Sequence, residues 1–454
     1  MANQFLNAQE YANVMLLMAK NQLVTGKLVS GRLENKVTDE NGLSISVKRP
    51  PRFARNDSSA MSAALAAQDI VTGSVNVSVD QYAKVHVSVG DIEYVQSFNA
   101  LMKNATMKSA ASTLATQIDA HLQRQVAKFS SYIGDTTTDW PTAAEFAADA
   151  NLKISTPAQF NRAHTRLMDL GVPNSDLAST VLFNDGEAIR GSLIGGNIQG
   201  TNKTALEKIQ IPVLSEIDLY ATQQCPAVTS GTRVSVATSL IDNGTLSVNY
   251  RDVKTTMVQT IHIDGQSSGV TINVGEKITI AGVYAYDWRN GVALPYLQVF
   301  TVRGGASTAS GSVPITSALG TAITTDAGGD IDLIISPPII VPNTSDGVST
   351  AANTAFATCS AAAVDGAAVT HLGPLSTTRR IRGAWHKEAI VLVSAKLQSP
   401  FTGEFSFAND PETGISIRYW RGSDISTGAH VHRWDCIFGA ENVDPLMGTE
   451  ISGS

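Results

Sequence analysis

The stretch VTINVGEKITIAGVYAYDWRNGVALPYLQVFTV, residues 270–302, holds three runs rich in β-branched and aromatic residues, broken at Gly275 and again at Trp288–Gly291. It reads as strand, tight turn, strand, loop, strand. The surrounding sequence extends this reading. Residues 223–305 are almost purely β in pattern, and residues 305–370 are rich in Ala, Ser, Thr and Gly with Phe356 as the lone aromatic. Mixed α/β sequence lies on both sides, so the β module from about 223 to 370 reads as an insertion. Such insertions cost little where the ends of a surface loop lie close together. Six Lys or Arg against ten Asp or Glu give the module a charge of about −4.

Upstream, residues 7–25 place Tyr11, Val14, Met15 and Met18 at helical spacing, which predicts an amphipathic arm. LSISVK (43–48) alternates as a strand, and the prolines of RPPRFAR (49–55) stop it. IVTGSVNVSVDQYAKVHVSV (70–89) predicts two alternating strands with a polar turn near Asp80 and Gln81. Together these segments describe a two-armed β extension with a basic tip at Lys48, Arg49, Arg52 and Arg55. Residues 97–129 then space Met107, Ala111, Leu114, Ile118, Leu122, Val126 and Phe129 by three or four, with no Pro or Gly between them. That predicts one helix of about 45 Å at 1.5 Å per residue. PAQFNRAHTRLMDLGV (157–172) reads as a helix closed by Gly171, STVLFN (179–184) as a short buried strand and IQIPVLSEIDLY (209–220) as a strand region. After the insertion, EAIVLVSAKL (388–397), GISIRYWRG (414–422) and HVHRWDCIFGAENVDP (430–445) read as strands.

Composition narrows the function classes. With 454 residues, 43% of them apolar, the chain can build two or three domains. A net charge of −7 gives no whole-chain sign of nucleic-acid recognition. Cys225, Cys359 and Cys436 are odd in number and far apart, so neither a disulfide framework nor a CxxC site is expected, in keeping with a reducing compartment. The first lysine, Lys20, follows the N-terminal apolar run, unlike a signal peptide. No apolar run approaches the ~20 residues of a membrane span.

Catalytic motifs were weighed by context. GQSSG (265–269) matches G-x-S-x-G, but QTIHID precedes it and VTINV follows. A nucleophile elbow needs strand, turn and helix, so a hairpin is expected here. Asp326, Asp330 and Asp332 in DAGGDIDL lack EF-hand spacing and read as a solvated acidic loop. His430, His432 and Cys436 fall on one strand face without the further ligands zinc requires. GGNIQGTNKT (195–204) lacks the P-loop spacing. No catalytic residue, cofactor or metal site is expected. The parts that remain are parts for touching neighbours.

Their order resembles the major capsid proteins of tailed phages, which share the HK-ninety-seven-like (Johnson) fold with herpesviruses. GEKITIAGV (275–283) with LQVFTV (297–302) is similar to the insertion-domain core of the coat-protein family of the short-tailed Salmonella phage P-twenty-two. DIVTGSVNVSVDQYAKVHVSVGDIE (69–93) resembles the family's return strand from extended loop to spine, and 388–397 and 432–448 resemble its closing segments. The similarity is patchy but collinear from about 40 to 448, and 305–370 departs from it.

The resemblance implies an α+β capsid fold with an inserted β-barrel. Its expected divisions are an N-terminal arm (1–35), an extended loop with peripheral strands (36–95), and a spine helix with peripheral domain (96–155). A first axial part (156–222), the barrel (223–372) and a second axial part with the C-terminal peripheral strand (373–454) follow. It also implies self-assembly into hexamers and pentamers of an icosahedral head. The implied partners are a scaffolding protein, a portal protein and double-stranded DNA packaged without sequence specificity, with no membrane. In the family the barrel supports folding and touches neighbours through charged loops. The basic tip Lys48, Arg49, Arg52 and Arg55 reads either as a solvated loop or as pairing with acidic groups of a neighbouring subunit, and by analogy with the barrel's charged loops Asp242 and Arg251 join it as candidate inter-subunit contacts. No self-crosslinking Lys–Asn pair is expected. The competing readings are a β-rich tail or adhesion protein, which would show repeats, and a hydrolase built on Ser267.

Overall fold

A computed structural model describes residues 8–34, 44–55, 68, 70–89, 104–134, 154, 157–195, 215–233, 240–242, 244–373, 375–400, 403–424 and 429–452. The chain divides into two compact units. One comprises residues 1–47, 76–125 and 390–443, the other 48–75, 126–389 and 444–454.

The first unit is built on a mixed sheet in the order Ser30–Glu34, Ile390–Ala395, Ala429–Asn442, Ile415–Asp424, Glu404–Asp410. Gln81–Val89 pairs antiparallel with the first half of Ala429–Asn442, His430 to Phe438. Ile390–Ala395 pairs with the second half, Ile437 to Asn442. One fourteen-residue strand thus serves two partners in succession. The two strands predicted in 70–89 are present, Ser74–Ser78 and Gln81–Val89, but they do not pair with each other. The first pairs with Ser44–Lys48 and the second with the C-terminal region. The turn between them redirects the chain and closes no hairpin.

Two helices cover one face of this sheet. Ala8–Gln22 buries Tyr11, Val14, Met15 and Met18, as their spacing requires. Tyr11 stacks on Tyr419 at 5.2 Å, and Lys20 bridges Asp410 and Glu412 at 3.1 and 2.6 Å. The long helix runs Ala105–Val126, 22 residues or about 33 Å. Residues 97–103 lie outside the described residues. Asn104 Oδ1 accepts the Thr106 amide and caps the helix start. Met107, Ala111, Leu114, Ile118, Leu122 and Val126 are all buried. Phe129, predicted within this helix, is buried beyond its end and stacks on Trp385. His121 meets Phe438 edge-on at 5.6 Å. Asp119, inside the helix, accepts the amides of Val24 and Gly26 at 2.8 and 2.9 Å and fixes the turn that leaves the arm. On the opposite sheet face, Val47, Val77 and Val79 pack on Val391, Val393, Ala395 and Val443.

The second unit contains a five-stranded sheet in the order Tyr132–Ile133, Gly448–Ile451, Arg382–His386, Leu177–Val181, Asp218–Ala221. Its three inner strands are buried throughout. Helices Ala158–Asp169 and Phe183–Gly195 belong to the same unit. Gly171 closes the first at φ +80°, as its position after the apolar pattern predicts. STVLFN divides: Val181 ends a strand and Phe183 begins a helix.

The opening stretch lies in a barrel of the same unit. Its strands are Thr271–Asn273, Lys277–Asp287 and Val292–Ser307, matching the predicted succession. The barrel order is Val369–His371, Lys277–Asp287, Val292–Ser307, Ile331–Ser336, Gln259–Asp264, Leu240–Ile241. A bridge between Leu240 and Ala368 joins the last strand to the first. Its core is Ile261, Ile263, Ile278, Ile280, Phe300, Val302, Leu333, Ile335 and Val369, among others. Residues 305–370, poor in aromatics, supply three further strands and the short helix Ala351–Ala355. Among the described residues, closure leaves no long unpaired edge on the barrel.

Gly439 gives a sharp test of the first unit. A Cβ there would run into the Ser78 carbonyl. Backbone cannot give way as a side chain can, so Gly439→Ala is expected to cost about 3 kcal/mol. Urea unfolding checks this, and a change below about 0.5 kcal/mol would show that the turn at Ser78–Val79 is not fixed against the strand.

Candidate functional site

The sequence places the basic cluster at 48–55 on the tip of a β extension, where Lys and Arg are ordinarily solvated. The structure corrects this at two positions. Arg49 is only 6% exposed, its amide donates to Gly73 O and its guanidinium reaches Thr255 O at 3.5 Å. Arg52 donates to Asp444 Oδ2 at 2.6 Å and lies over the rings of Trp288 and Phe356 at 5.1 and 5.7 Å. Gly73 allows the close approach, because a Cβ would meet Lys254 O and the Tyr250 hydroxyl. Tyr250 stacks on Phe356 at 3.7 Å, with Ala54 and Val71 against the cluster. Hence RPPRFAR is seated by an ionic contact with Asp444 and cation–π contacts with Trp288 and Phe356, with Arg49 reaching the Thr255 carbonyl. Lys48 and Arg55 stay exposed.

Arg251, beside that seat, pairs with Asp346 at 3.1 Å. Asp242 is exposed and lies apart from it, its amide donating to His262 O. His262 pairs with Asp332 at 2.7 Å, and the hydrogen bond to this carboxylate raises the imidazole pKa. Asp326 Oδ1 accepts the amides of Gly328 and Asp330, so DAGGDIDL is a self-capped turn.

A second cluster carries more buried charge and was missed in the sequence. Arg233 pairs with Glu276 at 2.8 Å, both side chains almost fully buried. Glu276 Oε1 also accepts the amides of Gly231 and Asn273. Next to it, Lys277 Nζ donates to Ala127 O at 2.9 Å, Thr301 Oγ1 at 2.8 Å and Phe129 O, with Glu450 Oε2 at 3.5 Å. Glu450 in turn pairs with Arg379 at 3.0 Å, and Arg379 donates to Gly275 O. Burial pushes the Lys277 pKa down to about 8; Glu450 opposes the shift and Arg379 adds to it. His371, nearby, is held neutral by burial and by Arg233, with its pKa lowered to about 3. The signal in the sequence was the pair Glu276–Lys277 inside an otherwise apolar strand pattern. Alternation alone assigns one of the two to solvent; both are buried.

None of these groups forms a reacting centre. Ser267 is exposed, and its carbonyl accepts from Thr325 Oγ1. The strands flanking GQSSG lie in different sheets, Gln259–Asp264 in the barrel and Thr271–Asn273 paired with Ala322–Thr324, so the expected hairpin is instead a crossover turn. His432 is buried, bonded to Tyr419 and set among Tyr11 and Trp434. Cys436 contacts Ser394. The His430 side chain and residues 196–204 lie outside the described residues. Burial pushes all three thiols up to about 12. Among the described residues, no group of three or more His, Cys, Asp or Glu is placed to hold a metal ion, and no helix is long and apolar enough to cross a membrane.

Comparison with known proteins is specific at one level. The family model described as "P22 coat protein - gene protein 5" matches residues 1–453. No curated protein matches the chain. Similar solved structures include that of Mycobacterium phage Che8, at 12% identity over 95% of this chain and 93% of that one, with a TM-score of 0.40. The capsid of Cyanophage P-SCSP1u matches at 10% identity over 95% and 88%, TM-score 0.43. The CUS-3 coat protein I-domain matches at 23% identity over 31% of this chain and 98% of that one, TM-score 0.19.

The Lys277 cluster predicts a pH dependence of stability. The folded pKa is about 8, below the ordinary 10.5. Between these values the unfolded chain keeps a proton that the folded chain has shed, so this group makes stability rise with pH across that window. The shift corresponds to a difference on the order of 3 kcal/mol. Denaturation of Lys277→Met and wild type from pH 7.5 to 10.5 should show the wild type gaining relative to the variant. Parallel pH profiles would mean that folding does not lower the Lys277 pKa.

Proposed function

We propose, from the premise that this chain belongs to the P22 coat protein family and is a major capsid protein of a phage virion, that it builds hexamers and pentamers of an icosahedral head through a scaffolded precursor. As a member of that family it is a structural protein of the capsid shell that assembles with itself. The observation that carries the finer reading is the match to the coat-protein family over residues 1–453.

Physical features support the reading. A shell of identical copies closes by symmetry, from many interfaces each weak enough to be remade before closure. Exposed ion pairs of ~0–1 kcal/mol suit that need. The exposed Lys48, Arg55 and Asp242 are candidate inter-subunit contacts. Arg49, Arg52 and Arg251, which already hold internal partners, would contribute through the segments they position. The division expected from the sequence, with arm, extended loop, spine helix, axial parts and barrel, is carried forward as part of the proposal. Scaffolding protein, portal protein and packaged double-stranded DNA are the proposed partners, the DNA held without sequence specificity. Maturation is proposed as a hinge and rigid-body rearrangement of arm and spine helix as DNA fills the head.

The test is expression of the chain alone and with its phage's scaffolding protein, followed by sedimentation and negative-stain microscopy. Uniform closed shells with scaffold, and aberrant or open shells without it, are expected. Small discrete oligomers in both preparations would overturn the reading.

A further inference from the structure

The sheet of the first unit has one face under the two helices. Half of the other face lies under the valines of residues 47, 77 and 79. Among the described residues, the remaining half is covered only in part, by the segment at 396–398, whose Gln398 carbonyl accepts from Arg418 Nη1. Strand register sets Phe407, Arg418, Asp435 and Lys84 in one row, and Phe405, Trp420, Arg433 and His86 in the next. Arg418 Nε and Nη2 donate to Asp435 at 2.9 and 2.6 Å. Arg433 Nε approaches the same carboxylate at 3.0 Å, and the Tyr82 hydroxyl also donates to it. Asp435 itself is fully buried beneath these groups. Arg433 lies over the rings of Tyr82 and Trp420 at 5.7 and 5.9 Å. Lys84 lies over Tyr82 at 5.8 Å and Lys396 over Phe407 at 4.6 Å. Tyr82 and Phe405 are each 39% exposed.

We propose that this half-face, centred on Tyr82, Lys84, Arg418, Trp420 and Arg433, docks an acidic surface of a second copy of this chain; the proposal rests on the capsid reading and assigns it an interface. Charge complementarity is the first argument. Among the described side chains of the half-face, Lys84, Lys396, Arg418 and Arg433 stand against Asp435 alone, a surplus of three positive charges. The whole chain is −7, so the residues other than these five carry a surplus of ten negative charges. Asp80, on the turn before Gln81, belongs to that remainder. A second copy is therefore net acidic outside these five side chains. Continuity is the second argument. Ile437, partly buried against the valine cluster, is paired with Tyr82 of the remaining half. Among the described residues, this half of the face thus begins where the valine cover ends. Arg and aromatic residues whose heads are fixed by a buried carboxylate lose little side-chain entropy on docking, which favours them at interface centres.

The test uses the full chain. Lys84→Glu with Lys396→Glu reverses two exposed charges without touching the Asp435 cluster. Assembly is read by sedimentation as the concentration giving half-maximal shells, at 50 and 500 mM salt. The expected result is a rise of at least about tenfold for the variant at low salt, with thermal unfolding of the unassembled chain unchanged. The wild type should lose assembly as salt rises, because screening weakens exposed charge pairs. If the Glu variant does not fold, Lys84→Gln with Lys396→Gln is expected to give a smaller rise in the same direction. Wild-type assembly by either folded variant overturns the proposal while leaving the capsid reading intact. Normal assembly combined with loss of binding to a 30-base-pair duplex overturns it in favour of a polyanionic partner. A wild-type chain that forms no shells overturns both.

Discussion

Lys277 carries an ammonium into the protein interior, where the fold supplies its partners. Removing a charge from water costs several kcal/mol before any contact is made. Three acceptors answer that cost: two carbonyls just beyond Val126 and the Thr301 hydroxyl. Glu450, near the end of the chain, adds charge balance and is itself tied to Arg379. Within this unit, one barrel side chain therefore fixes three separate stretches of backbone. The neighbouring pair Arg233–Glu276 clamps the preceding turn in the same way. An apolar seam could slide by a side-chain diameter at little cost. A buried charge cannot, because each partner lost leaves a group unpaired. That is a physical reason for placing ionic contacts at the foot of an inserted module that must hold one orientation.

The first unit relies on a different device. The strand Ala429–Asn442 accepts two partners along one edge and Ile415–Asp424 along the other. On its helix side, an aromatic group of Tyr11, Tyr419, His432 and Trp434 joins the arm to the sheet. On its other side, Asp435 gathers two guanidiniums and a phenol. Alternate residues of one strand thus serve the interior and a charged exterior. Such a strand suits a subunit that must be rigid within and adhesive without.

Much of this was legible in local pattern. The strands of 270–302 and 415–424 follow from alternation, and the helix over Met107–Val126 from its apolar spacing. What escaped is nonlocal. Pairing of Gln81–Val89 with a strand some 350 residues away leaves no mark in either segment, so a turn at Asp80 was read next to two strands that never meet each other. GQSSG was correctly set aside as an elbow, yet it joins two sheets and is no hairpin. The basic run at 48–55 looks solvated because Arg and Lys usually are. Arg49 departs from that rule through Thr255, and Arg52 through Asp444, Trp288 and Phe356, residues that no spacing connects to them. The buried Glu276–Lys277 pair escaped because its partners come from residues 127, 129, 233, 301 and 450.

The most direct test of the central claim is a cryo-electron microscopy reconstruction of the virion that carries this protein. The account predicts that the chain tiles the icosahedral shell, with the barrel in every subunit and Lys277 density joined to the backbone after Val126. Finding the chain in the tail or on a fibre, with the shell built from another protein, would contradict it.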